Sequence, residues 1–230
     1  TDSDGQMFFV TAAGDTLPLQ AEEPSYTLNQ MRRMPVGTDS GLVFDFHAPE
    51  LAGRLYYGFI PGPDTIRIAY PVFFNRSAKI DSGRATVNIL RRLVGRYDIP
   101  GWQQSGVSRF GYRLVEDDGT ILYDGKIMVA GKGPFRVDTS IVEGPFVNIL
   151  EPTGAVVSFE SNVPVVARIE TAGGVFDDSM PTTHHEITLT GLAPDTLNEY
   201  TVRYGRHHET HVLRTPPRPG SRRPLMFAYA

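Results

Sequence analysis

The most chemically loaded stretch of the sequence is His207-His208-Glu209-Thr210-His211. Wound as a helix, it would set His207 and His211 four residues apart on one face, a spacing that can hold a zinc ion. Only one residue separates Glu209 from His211, so the run does not fit the His-Glu-x-x-His pattern of zinc hydrolases. Its place between two expected strands favours a polar hairpin loop instead. His184 and His185 begin another expected strand, where neighbours point to opposite faces and cannot easily share a metal. His47 closes an alternating strand, packed or solvated. The paired acids Glu22-Glu23, Asp117-Asp118 and Asp177-Asp178 fall in expected turns, where Asp stabilises the backbone locally. Adjacent exposed acids do not supply the two unlike environments that acid–base catalysis needs.

Nucleotide motifs fail. From Gly119 to Gly125-Lys126 the gap is one residue too long for a phosphate loop, and Ile127 stands where a hydroxyl should meet magnesium. Gly131-Lys132-Gly133 lacks a third glycine, and no Gly-x-Ser-x-Gly elbow occurs. Trp102 follows Pro100-Gly101 and reads either as a carbohydrate-stacking residue or as a core anchor. Arg203, Arg206, Arg214, Arg218, Arg222 and Arg223 read as a solvated linker region, with an anion-binding face as the alternative. Asn75-Arg76-Ser77 fits a glycosylation acceptor, relevant only in a eukaryotic secretory host.

Composition narrows the classes. The 230 residues carry a net charge of −4, are 40% hydrophobic and 10% aromatic, and include no cysteine. That excludes global disorder, a disulfide scaffold and a cysteine nucleophile. The mild acidity argues against wholesale nucleic-acid binding, and no apolar stretch is long enough for a membrane-spanning helix. The chain opens Thr1-Asp2-Ser3 with no initiator Met, which reads as removal of something upstream by processing or cloning. A removed export signal would imply a secreted, periplasmic or cell-surface protein.

The elements that must position these residues are mostly strands. Alternating runs cover 42–47, 54–60 and 66–74, the last interrupted by Pro71. Asp117-Asp118-Gly119 joins 110–115 to 120–123 as a hairpin. Asp124-Gly125 is expected to break or bulge the second strand. Over 84–95 the spacing of Val87, Leu90 and Val94 favours a short helix capped by Asp81 or Ser82 and ended by Gly95, although a strand fits nearly as well. Short strands at 146–150, 155–161, 165–170, 185–189, 200–204 and 210–215 recur with the rhythm of a β-sandwich. The expected fold is all-β: two tandem immunoglobulin/fibronectin-like sandwiches over 1–138 and 139–216. Residues 217–230 are expected to form a linker and the first strand of a further domain.

Leu189-Thr190-Gly191-Leu192-Ala193-Pro194-Asp195-Thr196, followed by Tyr200 and Val202, resembles a fibronectin type III domain. The resemblance covers about 140–216 and implies a tyrosine corner built from Leu192, Pro194 and Tyr200. The opening Glu151-Pro152-Thr153-Gly154-Ala155-Val156-Val157-Ser158-Phe159 and the ending Thr215-Pro216-Pro217, then Leu225-Met226-Phe227-Ala228-Tyr229-Ala230, resemble purple-acid-phosphatase-like metallophosphoesterases. In that family such a domain precedes the catalytic one. The resemblance implies a dinuclear metal centre in a following catalytic domain of the same polypeptide. Within this chain it implies no cofactor, no catalytic residue and a scaffold role, with self-association to a homo-oligomer a further option. The ligand motifs of the family, such as Asp-x-His and Gly-Asp, are read as lacking here. The alternative is a free-standing adhesion or carbohydrate-binding module in which Trp102 with Tyr56, Tyr57 or Tyr70 forms a stacking platform. A small hydrolase built on the histidine cluster ranks last.

Overall fold

The computed structural model describes residues 8–18, 26–60, 74–97 and 102–222. All but Phe74 of the strand expected over 66–74, Tyr70 included, the Glu22-Glu23 pair, Arg223 and the closing run 225–230 lie outside them. A small hairpin, β1 (Phe8–Val10) and β2 (Thr16–Pro18), comes first. A capping box follows: Thr27 Oγ1 accepts from the Gln30 amide while the Gln30 side chain accepts from the Thr27 amide. These reciprocal bonds satisfy donors that would otherwise be orphaned, and they start the one-turn helix α1 (Leu28–Met31).

The first sandwich has a three-stranded sheet of β3 (Val36–Gly37), β4 (Gly41–Asp45) and β7 (Arg84–Asn88). Facing it is a five-stranded sheet in the order β10-β9-β8-β5-β6. Those strands are β5 (Gly53–Ile60), β6 (Arg76–Ile80), β8 (Val107–Glu116), β9 (Ile121–Ala130) and β10 (Arg136–Val137). All pairings are antiparallel. Alternation decides the buried face: Leu42 and Phe44 from one sheet meet Leu55, Tyr57, Phe59, Phe110, Tyr112 and Leu114 from the other.

Residues 84–95 are not one helix. Arg84–Asn88 pairs along β4 with Val87 buried, because that edge of β4 needs a partner. Asn88, rather than Asp81 or Ser82, caps the four-residue helix α2 (Ile89–Arg92), and Leu90 is left exposed. Asp124-Gly125 does not end its strand either. Gly125 lies opposite Tyr112, and a Cβ there would come 2.2 Å from Tyr112 Cζ. The glycine leaves room for the ring to lie across β9.

The second sandwich is built from β11 (Ile141–Glu151), β12 (Gly154–Thr171), β13 (Gly174–Thr190), β14 (Leu197–Tyr204) and β15 (His207–Arg214). Two of its strands are long enough to serve both layers. Residues 154–161 of β12 lie between β11 and the far half of β13, forming one sheet. Residues 167–171 lie between the near half of β13 and β14, which pairs with β15 to complete the other. Register shifts between Glu160, Val165 and Ala167 mark the crossing, where such irregularities bend a strand. Val157, Phe159, Ile169, Ile187, Leu189, Val202 and Tyr204 fill the space between the layers.

Replacing Gly125 with alanine should destabilise the first sandwich by about 1–3 kcal/mol through overpacking. In a double-mutant cycle by urea denaturation, Tyr112→Leu should recover part of that loss.

Candidate functional site

The histidine run is neither helix nor loop. It opens β15, because the hairpin turn falls earlier, at Gly205-Arg206. On a strand, alternate residues share a face, so His207, Glu209 and His211 share the one on which Leu213 joins the core. Glu209 is the centre of what gathers there. Its side chain is 5% exposed, Tyr204 Oη donates to Oε1 at 2.9 Å, and His211 Nε2 lies 3.4 Å from Oε2. Its other partners come from the first sandwich: Arg109 Nε on β8 donates at 3.2 Å, and Lys126 Nζ on β9 lies 3.8 Å away. Burial alone would push this carboxyl up. His211, the two cations and the tyrosine hydroxyl outweigh it and hold the group well below the usual carboxylate range. Burial acts the other way on Lys126, pulling its ammonium down against the pull of Glu209. Lys126 also donates to the Gly144 carbonyl at 2.6 Å.

Two further groups of contacts flank this one. Asp138 accepts from Arg206 and lies 3.1 Å from His207 Nε2. Burial opposes its ionised form, but Arg206, the Thr139 amide and His207 prevail, so its pKa is lowered. On the other side, the α1 capping box places Arg32 where it bonds Glu160 and sits 3.7 Å from Glu143, which also accepts from Tyr123 Oη. The connecting residues are tied down as well. Ser140 is fully buried; its Oγ accepts from the Met128 amide, and its own amide donates to Asn162 Oδ1. Asn162 Nδ2 in turn donates to the Asp138 carbonyl. The site is a charged joint between two sandwiches, and its chemistry is the neutralisation of buried charge.

Other candidate residues are placed elsewhere. Trp102 is 2% exposed and heads α3 (Trp102–Ser105), its ring 5.3 Å from that of Phe59. That overturns its reading as a glycan platform, since stacking needs an exposed ring, and Tyr57 is equally buried. Asp177 and Asp178 are in β13 rather than a turn. Asp177 lies opposite Arg168, and Asp178 bonds Nδ1 of the fully buried His185 at 2.9 Å. His184 points outward. The short patterns Gly14-Asp15 and Asp45-Phe46-His47 do occur, contrary to the expectation that such pairs are lacking. Asp45 is held by Arg84, and His47 is exposed on the surface. Among the described residues no three histidines or acids gather as a metal-ligand set. Leu192 is buried near the turn before β14, and Tyr200 is buried with its ring stacked on His211 at 5.5 Å. Pro194 lends its carbonyl to Thr196 Oγ1. Further bonds closing that turn come from Asn198 and Thr215, which sequence reasoning passed over. Of the arginines, Arg203 pairs with Glu170, Arg206 with Asp138 and Arg214 with Asp195.

The second unit is an antiparallel β-sandwich, three strand segments facing four. No family model matches the chain, and no curated protein is similar to it. Among solved structures it is similar to the central fibronectin-III array of RIM-binding protein. That likeness has 15% identity and a TM-score of 0.36, covering 85% of this chain and 72% of the other. At that distance it carries no argument, and the sandwich rests on the strand pairing itself.

Tyr204→Phe should cost about 1.5–3 kcal/mol by removing a bond to a charged acceptor, measured by chemical denaturation. Glu209→Gln should cost about 3–5 kcal/mol at neutral pH, because two cations lose a buried partner. A carboxylate held low in the fold contributes stability above its unfolded pKa, and that contribution fades as pH falls toward the folded value. The gap between parent and Glu209→Gln should therefore be full at pH 7 and begin to narrow below about pH 4.5.

Proposed function

We propose that this chain is the non-catalytic accessory region of an exported metal-dependent phosphoesterase, with the second sandwich handing the chain to a catalytic domain. The observation that carries the reading is where β15 delivers the chain. Thr215, Pro216 and Pro217, through which the sequence resembles the metallophosphoesterase hand-over, leave the sandwich anchored. The Thr215 amide donates to the Thr196 carbonyl, and the Asp195 amide donates to that of Pro216. A pinned exit fixes where a following domain begins, as an accessory domain that positions or shields an active site requires. In this reading the dinuclear metal centre belongs to the catalytic domain. His207 and His211 serve the joint, through Asp138 and Glu209.

The purified 230-residue chain, supplied with manganese, zinc or iron and a chromogenic phosphate ester, should show no turnover. The same chain extended by the coding sequence that follows Ala230 should show it. Metal-dependent turnover by the short chain, abolished in His207→Ala or His211→Ala, would overturn the proposal.

A further inference from the structure

Two domains in one chain ordinarily move relative to each other unless a large interface holds them. Here the connection is short and has little freedom of its own. The Asp138 amide donates to the Met128 carbonyl, the Asn162 amide donates to the Ser140 carbonyl, and Ser140 Oγ donates to the Asp138 carbonyl. Gly205, at the β14–β15 turn, lies so close that a Cβ there would stand 3.5 Å from Thr139 Cγ2. Backbone bonds of this kind limit torsion but do not alone prevent rocking about a three-residue segment. Val142, just past the segment, packs in the first core and adds an apolar restraint, but the largest group to be broken by rocking is charged. To swing apart, the sandwiches must separate Glu209 from Arg109 and Lys126 and leave them to find water or new partners. Arg109 is 17% exposed at its side chain and Lys126 28%.

We infer that Glu209 is the latch of a hinge at residues 138–140: with its carboxylate in place the two sandwiches form one rigid arm, and without it they rotate about that segment. In the flanking contacts, Arg32 with Glu143 and Glu160 and Arg206 with Asp138, each carboxylate is more exposed than Glu209, so water compensates its loss more readily. The latch is independent of whatever domain follows, and it does not rest on the phosphoesterase reading.

The absence of native cysteine makes the test direct. Spin labels at Lys79→Cys and Met180→Cys, both at exposed positions on different sandwiches, report one distance by pulsed electron paramagnetic resonance. The parent should give a single narrow distribution. Glu209→Gln should lose that peak to a broad one, while Glu170→Gln, which removes a surface ion pair within the second sandwich, should keep it. A broad distribution in the parent, a narrow one in Glu209→Gln, or equal broadening in Glu170→Gln overturns the inference. If circular dichroism shows Glu209→Gln to be unfolded, Arg109→Met tests the same contact from the other side. Broadening there supports the latch and a retained narrow peak refutes it.

Discussion

A carboxylate removed from water must be met by cations and donors, and Glu209 meets its two full cations across a domain boundary. Much of the surrounding structure follows from that need. Arg109 and Lys126 lie on adjacent strands of the five-stranded sheet, so the pairing of β8 with β9 presents both charges together. Tyr204 can donate to Glu209 because the hairpin at Gly205-Arg206 is tight enough to bring β14 and β15 into register there. The cores themselves interlock. Val142 packs with the first sandwich and Ile141 with the second, although they are neighbours on β11.

The histidines take their meaning from the same constraint. His207 tilts against Tyr204 and His211 stacks on Tyr200, each imidazole covering an aromatic ring while its Nε2 faces a carboxylate. A flat, weakly basic ring suits a place that is partly apolar and partly negative. Their spacing on the strand sets one imidazole against Asp138 and the other against Glu209.

The all-β class was legible because alternation is local. Phe44, Leu55, Tyr57 and Phe110 announce their faces within a few residues, and Asp117-Asp118-Gly119 forms the turn between β8 and β9, with Asp118 Oδ1 accepting from the Thr120 amide. What was not legible depended on partners distant in sequence. β13 carries Asp177, Asp178 and Pro181, poor strand formers, and is a strand there because Ala167 and Arg168 of β12 pair with Asp178 and Asp177 and His185 engages Asp178. The 84–95 segment has a helical spacing that the open edge of β4 overrides. The joint was hidden altogether. Glu209 lies 100 positions from Arg109 in sequence, and no local pattern links them. The one available hint was an acid among three histidines, in a run that reads as a polar hairpin loop or, less well, a metal site, and not as a contact with a neighbouring domain.

The shared strands of the second sandwich carry a kinetic consequence. In most sandwiches the two layers are separate sheets that must find each other across long connections. Here β12 and β13 form one hairpin closed by the tight turn at Ala172-Gly173, and each strand runs through both layers. Zipping that hairpin lays the first rungs of both sheets with little loop-closure entropy, and only β11, β14 and β15 are left to add. The order of assembly is written into the length of two strands: a frame for the whole core can form before any distant segment of the chain has arrived.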